Sequence, residues 1–284
     1  MSQHFKKVIV ILGQTATGKS DLAVKIAKKI GGEIISADSR QVYKGLNIGT
    51  GKISYKEMQD VRHHLLDVAN PKKKFTVVDF QKQAMSAMAD IACRDKVPII
   101  CGGTGFYIDA ITKGIIFPEI PPNNKLRKAL NKKSLNKLLR ILKKLDPRRA
   151  KAIDIKNKVR VIRAIEIAKA LGKVPPITQD NPVYKFIKIG LYLPPDKLKK
   201  KIEKRVASMF KVGLLKEIKK LKKAGISDKR LREFGFEYDK PTPEKVIAKT
   251  IKYAKRQMTW FKRDKEIKWF EDTNRALNFI LKIL

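Results

Sequence analysis

Cysteine and histidine are scarce in this sequence. Of its 284 residues, two are cysteines, Cys93 and Cys101, and three are histidines, at positions 4, 63 and 64. The cysteines form no CxxC pair and have no further ligands at the spacing of a metal site. Neither a structural zinc site nor a disulfide framework is therefore predicted.

Long apolar runs are also lacking. No stretch approaches the roughly 18 residues that a membrane-spanning helix requires. The first residues, MSQHFKKVIVILG, lead directly into a strand-like segment without a signal-peptide cleavage pattern. We therefore expect a cytoplasmic protein with no membrane segment.

Acidic residues are few relative to basic ones, 27 against 65, which gives a net charge of +38. The excess is regional: residues 1–120 carry 18 basic and 11 acidic side chains, whereas residues 121–284 carry 47 and 16. A positive surface of this size favours a polyanionic partner, most often nucleic acid. An anionic membrane, or charge that only serves solubility, remains an alternative.

The first hundred residues alternate between two kinds of pattern. Strand-like apolar segments occur at 7–13, 33–37 and 97–101, and helical patterns lie between them at 19–30 and 77–93. This βαβ rhythm predicts a parallel sheet covered by helices.

Three prolines near residue 120 mark a change of character. Residues 121–180 are helical in pattern and hold 18 basic but only 4 acidic side chains. Strand character returns at 186–193, and helical patterns follow at about 196–223 and 243–262. We predict three segments: the first part of an α/β core at 1–120, a basic helical insertion domain at 121–185, and the second part of the core with C-terminal helices at 186–284.

The segment GQTATGKS at 13–20 satisfies the pattern G-x-x-x-x-G-K-[ST], with a strand pattern before it and a helical pattern after it. In such a phosphate-binding loop (P-loop), glycines allow successive backbone N–H groups to converge on phosphate oxygens. Lys19 adds a full positive charge, and Ser20 offers a hydroxyl to Mg²⁺. The predicted fold class is α/β, with a P-loop NTPase-like parallel sheet core and a helical insertion. The residues predicted to bind a di- or triphosphate are those of the loop: Gly13, Gln14, Thr15, Ala16, Thr17, Gly18, Lys19 and Ser20.

An ordinary ATPase needs a carboxylate at the end of a buried strand, and the strand at 97–101 ends in Gly-Gly-Thr-Gly instead. Asp38 follows the strand at 33–37 and is therefore expected at the same sheet edge as the P-loop. The residues alone leave three roles open for Asp38: a ligand of Mg²⁺ through water, a structural partner of a lysine, or a general base.

Seven segments match in order those of the tRNA dimethylallyltransferases (tRNA isopentenyltransferases), and the chain resembles the bacterial type without a zinc finger. The departures are Gln14, where proline is usual, Gly51, where alanine is usual, the segment after GTGK, which lacks the common proline, and FGFEY (234–238), which only loosely matches an IGYKE-type segment. None of them removes a group that the chemistry needs. The matching segments are GQTATGKS (13–20), SADSRQVYKGLNIGTGK (36–52), HHLLD (63–67), GGTGFYIDAI (102–111), DPRRAKAI (146–153), KVRVIRAIEI (158–167) and YAKRQMTWFKRD (253–264).

This resemblance implies transfer of a dimethylallyl group from dimethylallyl diphosphate to N6 of adenosine 37, in the anticodon stem-loop of tRNA, with release of diphosphate. It implies Asp38 as the base, Thr104 as the group that orients the amine or the bridging oxygen, and Lys19 with Mg²⁺ as the stabiliser of the leaving diphosphate. The target adenine has to leave the base stack to reach a buried diphosphate. The implied tRNA contacts are Asp38, Ser39, Arg40, Gln41, Thr104, Arg127, Val159, Arg160, Val161, Ile162 and Arg163.

Several assignments stay open. Arg205 is either part of the diphosphate pocket or an i,i+4 surface partner. His63 and His64 either line the donor pocket or form structural hydrogen bonds; we favour the structural role. We expect a monomer. Rival functions are a small-molecule kinase that uses Asp38 for Mg²⁺, a non-catalytic RNA-binding protein, and prenyl transfer to free AMP, against which the basic second half argues.

Overall fold

The computed structural model describes residues 6–176, 178 and 183–284. The chain separates into two compact units, a larger one of residues 1–114 and 181–284 and a smaller one of residues 115–180. The sequence predicts an insertion at 121–185, and the smaller unit begins and ends a few residues earlier. The RNA-binding role assigned to that insertion stays a prediction.

The helices and strands follow one another in chain order. The larger unit begins with β1 Lys6–Gly13, α1 Lys19–Ile30, β2 Glu33–Ser36, α2 Tyr55–Met58, β3 His63–His64, α3 Val77–Cys93, β4 Pro98–Cys101 and α4 Gly105–Thr112. The smaller unit contains α5 Asn124–Asn131, α6 Leu135–Leu145, α7 Pro147–Ala152 and α8 Lys158–Leu171. The larger unit continues with β5 Tyr184–Leu191, α9 Pro195–Val212, α10 Leu214–Lys223, α11 Asp228–Phe234, α12 Pro243–Phe261, β6 Lys268–Phe270 and α13 Thr273–Ile283.

Within the described part of the chain, six strands form one sheet in the order β3-β2-β4-β1-β5-β6. Every neighbouring pair is parallel. The predicted α/β class with a parallel sheet is therefore confirmed. Because β2, β4 and β1 are neighbours and point the same way, the loops that follow them lie side by side at one edge of the sheet.

The apolar sequence of β1 reflects burial on both faces of the sheet. Val8, Val10 and Leu12 pack in a cluster with side chains of α3 and α4. Ile9 and Ile11 pack on the other face with side chains of α1 and α13. This continuous burial holds β1 rigidly in the middle of the sheet, and the P-loop begins at its end.

Two predicted boundaries in the second part of the core are wrong. A single helix at about 196–223 is replaced by α9 and α10, because Gly213 adopts a left-handed φ of 116° that ends α9. The strand predicted at 186–193 runs from Tyr184 to Leu191 instead, and Pro194 starts the turn into α9. The helices predicted at 77–93 and about 243–262 are confirmed as α3 and α12.

None of the helices in the ranges described combines the length and apolarity needed to cross a bilayer.

A buried carboxylate organises the smaller unit. Glu166, on α8, is 2% exposed and accepts hydrogen bonds from Nη2 of Arg127 at 2.7 Å, from Nη1 of Arg163 and from the backbone N–H of Asn123 at 2.6 Å. Burial opposes the charged form, but the two arginines outweigh it and lower the pKa of Glu166 from 4.5 to about 2. The ion pairs therefore tie the start of α5 to α8.

We predict that Glu166→Gln destabilises the smaller unit by about 2 kcal/mol, because it leaves two guanidinium groups without their buried anion. The wild-type contribution is present above pH 4.5 and is lost as the pH falls from about 4.5 towards about 2, since the pKa is depressed in the folded state. Hydrogen exchange of residues 115–180 as a function of pH measures both effects. The control is Asp154→Asn, which removes an exposed carboxylate of the same unit; an equal loss of protection in both variants would contradict the prediction.

Candidate active site

The P-loop turns sharply between β1 and α1. Gly13 has a φ of 132° and Gly18 a φ of 90°, both in the left-handed region. A Cβ on Gly13 would lie 2.1 Å from the carbonyl oxygen of Leu191, so only glycine fits at the end of β1. Ala16 also has a positive φ, 64°. The loop thus has the unusual backbone that a phosphate cradle requires.

Residues of the P-loop form hydrogen bonds that stabilise its conformation. Gln14 is buried, and its Oε1 accepts a hydrogen bond from the backbone N–H of Leu193 at 3.2 Å. Its carbonyl oxygen accepts from Oγ1 of Thr17 at 2.8 Å and from Nζ of Lys19. Gln14 therefore has a structural role, at a position where the tRNA dimethylallyltransferases that the sequence resembles usually have proline.

Gln257, on α12, joins the P-loop to the glycine-rich turn after β4. Its Oε1 accepts from the backbone N–H of Thr15 at 2.8 Å, and its Nε2 donates to the carbonyl oxygen of Gly103 at 2.9 Å. The side chain is 6% exposed. Sequence reasoning missed this residue; its only signal was a position inside the matching segment at 253–264.

Lys19 lies half-buried at the start of α1. Burial lowers its pKa from 10.5 to about 8; nearby Arg205 acts in the same direction and Asp38 in the opposite one. The protein groups near Lys19 therefore compensate its positive charge incompletely. A bound polyanion would supply the missing negative charge.

Asp38 follows β2 and lies at the same edge as the P-loop. Its Oδ1 accepts hydrogen bonds from the backbone N–H groups of Arg40 at 2.8 Å and Gln41 at 3.3 Å. Thr104, at the start of α4, is directly beside this turn: its Oγ1 accepts from the backbone N–H of Ser39 at 3.0 Å and lies 3.3 Å from Oγ of Ser39. The structure thus brings together the loops that carry the predicted catalytic residues.

Arg205, on α9, lies beside the P-loop. Its Nη1 is 3.4 Å from Oγ1 of Thr15, and its Nη2 donates to the carbonyl oxygen of Thr50 at 3.3 Å. Burial lowers its pKa. Gly51 has a φ of 58°, and a Cβ there would lie 1.8 Å from Nη2 of Arg205, so a larger residue at position 51 would displace the guanidinium group from this place. These contacts are with the P-loop and with Thr50, not with an i,i+4 partner on α9; the part of Arg205 in a diphosphate pocket stays a prediction.

Arg40 and Gln41 already have protein partners. Arg40 donates to Oε2 of Glu237 at 2.7 Å, and Nε2 of Gln41 donates to the carbonyl oxygen of Gly51 at 3.3 Å. Glu237 is 7% exposed, and sequence reasoning missed it because FGFEY matches the family segment only loosely. The tRNA contacts implied for Arg40 and Gln41 stay predictions.

The five residues at 159–163 that the resemblance implies as tRNA contacts differ in their exposure. Val159 and Arg160 are exposed at the start of α8, and Val159 is 76% exposed. Val161 and Ile162 are buried in the core of the unit, so a role for their side chains in contacting tRNA is a wrong expectation: helical periodicity turns them inward. Arg163 donates to Glu166 and to the carbonyl oxygen of Ile120 at 2.8 Å.

Arg127 shares that carboxylate with Arg163, so both of these predicted tRNA contacts have protein partners; their contact with tRNA stays a prediction. The two histidines of β3 are structural in their contacts. Nε2 of His64 lies 2.8 Å from Oε2 of the buried Glu33, and Nδ1 of His63 lies 2.8 Å from the carbonyl oxygen of Val61.

Comparison with known proteins identifies relatives along nearly the whole chain. The model of the IPP transferase family matches residues 41–264. The tRNA dimethylallyltransferase of Anoxybacillus flavithermus is 38% identical over 289 aligned residues, which cover 96% of this chain and 92% of the relative. That of Halothermothrix orenii is 40% identical, with 93% and 87% covered.

Solved structures agree with the fold. The crystal structure of the tRNA isopentenylpyrophosphate transferase from Bacillus halodurans is similar with a TM-score of 0.72 and 35% identity, over 98% of this chain and 95% of that one. A eukaryotic dimethylallyltransferase acting on tRNA is similar with a TM-score of 0.79 and 27% identity, over 94% of this chain and 74% of that one. With relatives of this identity at nearly full coverage and a family match over most of its length, the chain belongs to the IPP transferase family.

Proposed function

We propose that this protein transfers a dimethylallyl group from dimethylallyl diphosphate to N6 of adenosine 37 in the anticodon stem-loop of tRNA. The observation that carries the proposal is the convergence of the P-loop, the Asp38 turn and Thr104 at one sheet edge. A phosphate-binding loop without the water-positioning carboxylate of an ATPase suits a reaction in which the diphosphate is the leaving group.

In the proposed reaction, a bond forms between N6 of the adenine and C1 of the dimethylallyl group while the bond from C1 to the diphosphate oxygen breaks. The electron pair of that bond leaves with the diphosphate, where Lys19, Arg205 and the backbone N–H groups of the loop stabilise it. The proton of N6 passes to Asp38, whose Oδ1 is already held by two N–H groups. The hydroxyl of Thr104 orients the amine or the bridging oxygen.

Mg²⁺ is the metal that we propose for this site. In phosphate sites Mg²⁺ takes only one or two protein ligands, with phosphate and water oxygens completing its shell. Ser20, at the first turn of α1, fits this donor set, and no cluster of three or more His, Cys, Asp or Glu side chains occurs within the described ranges. When bound, the ion would neutralise charge on the departing diphosphate.

The acceptor has to present its adenine unstacked, at a cost of roughly a few kcal/mol that a single-stranded loop keeps small. We propose that the turn after Asp38 contacts the nucleotides next to the target, and that Val159 and Arg160 contact tRNA from the smaller unit. The basic second half of the chain suits a large RNA acceptor better than free AMP. We also propose that the protein acts as a monomer.

We predict that the protein, dimethylallyl diphosphate, Mg²⁺ and unmodified tRNA yield N6-dimethylallyladenosine. Asp38→Asn should bind tRNA normally but turn over about 10² to 10⁴ times more slowly, because the amide cannot accept the N6 proton. Mass spectrometry of tRNA digests measures the product. Asp95→Asn, which changes an exposed turn residue, is the control. ATP turnover without prenyl transfer would instead identify a kinase, and normal rates for Asp38→Asn would exclude the base role.

We predict that dimethylallyl diphosphate binds more weakly as the pH rises above about 8. The pKa of Lys19 is about 8 in the free protein and rises when the diphosphate binds, so binding at higher pH requires proton uptake. The dissociation constant should then increase by up to about tenfold per pH unit. Calorimetry in two buffers of different ionisation enthalpy measures the proton uptake. Lys19→Arg, which stays charged, should lose this pH dependence; uptake that persists in the variant would assign the proton to another group.

We predict different consequences for two neighbouring arginines of α8. Arg160→Ala should reduce the salt dependence of tRNA binding by about one counterion, because the residue is exposed and its nearest carboxylate, on Asp154, is 3.8 Å away. Arg163→Ala should leave that slope unchanged and loosen the smaller unit, because it removes a partner of Glu166. Filter-binding titrations at several salt concentrations measure the slope. A loss of slope in Arg163→Ala with unchanged folding would reverse the assignment.

A further inference from the structure

The guanidinium group of Arg40 is enclosed by protein groups in the larger unit. Its Nη1 donates to Oε2 of Glu237 at 2.7 Å, and both side chains are mostly buried, 24% and 10% exposed. Its central carbon lies 5.4 Å from the ring centre of Phe236 and 5.5 Å from that of Tyr253. An ion pair and two cation–π contacts therefore fix the side chain in one place.

The backbone of the same residue holds Asp38. The N–H of Arg40 donates to Oδ1 of Asp38 at 2.8 Å, so the orientation of this carboxylate depends on where the backbone of residue 40 lies. The neighbouring N–H of Gln41 donates to the same oxygen at 3.3 Å. A displacement of the turn would move both donors and rotate the carboxylate away from a nucleophile positioned between it and the P-loop.

We propose that Glu237, acting through Arg40, is a positioning residue for Asp38. This inference rests on the proposed function, because it assigns to Asp38 the acceptance of the N6 proton. The side chain of Arg40 then anchors the active-site turn from within the protein and does not neutralise an RNA phosphate. Glu237 touches neither substrate; it fixes the residue whose backbone fixes the base.

The ion pair between Arg40 and Glu237 depends on both partners, because Glu237 is buried. Burial raises the pKa of Glu237, while Arg40 lowers it. In such an environment a carboxylate keeps its charge only with a cation next to it, and a guanidinium left without its carboxylate would relax towards water. Replacing either partner should therefore move the turn, and replacing both should do little further harm.

A second ion pair in the same unit provides a matched control. Nη1 of Arg230 donates to Oε2 of Glu233, also at 2.7 Å, and the guanidinium carbon of Arg230 lies 5.2 Å from the ring centre of Tyr43 and 4.5 Å from that of Phe234. The residue types and the ion-pair distance match those of the Arg40 pair, although the side chain of Glu233 is 35% exposed, and neither partner hydrogen-bonds to the turn after Asp38. Glu233→Gln thus reports what the loss of such a pair costs without displacing the base.

The experiment measures the single-turnover rate of prenyl transfer, the KM for dimethylallyl diphosphate, and the affinity of tRNA at several salt concentrations. Glu237→Gln and Arg40→Ala should each slow single turnover by about tenfold or more, with KM and tRNA affinity within about twofold of wild type. The double variant should be no more than about twofold slower than the slower single variant, because the residues act as one unit. Glu233→Gln should stay within about twofold of wild type.

Three results would overturn the proposal. The first is a Glu237→Gln rate no different from that of Glu233→Gln. The second is an Arg40→Ala variant that binds tRNA more weakly with a smaller salt slope but reacts normally once saturated, which would make Arg40 a phosphate ligand. The third is simple additivity of the two single variants.

Thermal unfolding checks that each variant is folded. Should Glu237→Gln fail to fold, Phe236→Leu is the second variant: it removes one ring from Arg40 and keeps the ion pair. It should slow single turnover severalfold with unchanged tRNA affinity, and an unchanged rate would overturn the proposal. If the wild-type protein transfers no prenyl group, the proposed function itself is wrong. This result differs from failure of the Glu237 proposal, because it is seen in the wild-type protein before any variant is tested.

Discussion

The parallel pairing of β2, β4 and β1 is the constraint on which the rest of the site depends. Because these strands run in the same direction, the chain leaves all three at one edge of the sheet, where the P-loop, the Asp38 turn and the Gly-Gly-Thr-Gly turn meet. The pairing continues into the loops: the N–H of Gly102 donates to the carbonyl oxygen of Ile11 at 3.0 Å, and that of Ala37 to the carbonyl oxygen of Cys101 at 2.8 Å. The burial of β1 on both faces keeps this edge rigid.

Residues from the second part of the core complete the site. Gln257 links the P-loop to the turn after β4, Arg205 reaches Thr15, and Glu237 holds Arg40. Each comes from a helix or turn more than 150 residues away in the sequence from the loop that it supports. Preorganisation of this kind is what electrostatic stabilisation of a leaving group requires, because the donors must already be in place when charge develops.

Not all of the positive charge in this protein is free to contact a partner. Arg127 and Arg163 are paired with the buried Glu166, so part of the charge in the smaller unit stabilises its own fold. Exposed lysines on α9 and α10 of the larger unit form a stretch as basic as the insertion, with twelve basic and three acidic side chains between residues 195 and 223. A count of basic residues in the insertion therefore overstates the positive charge that is free of protein partners there.

The sequence alone determined the parallel α/β class, the P-loop and the family, because these rest on local patterns: continuous apolar strands, a fixed glycine and lysine spacing, and motifs in a fixed order. It also placed Asp38 at the correct edge, since parallel strands leave no other choice. Only the tertiary structure decided which charged side chains form ion pairs within the protein and which are exposed to solvent. Arg160 and Arg163 are three residues apart on one helix, yet one is exposed and the other pairs with Glu166. Partners such as Glu237 for Arg40 lie far along the chain, and their ion pairs exist only where packing removes both groups from water.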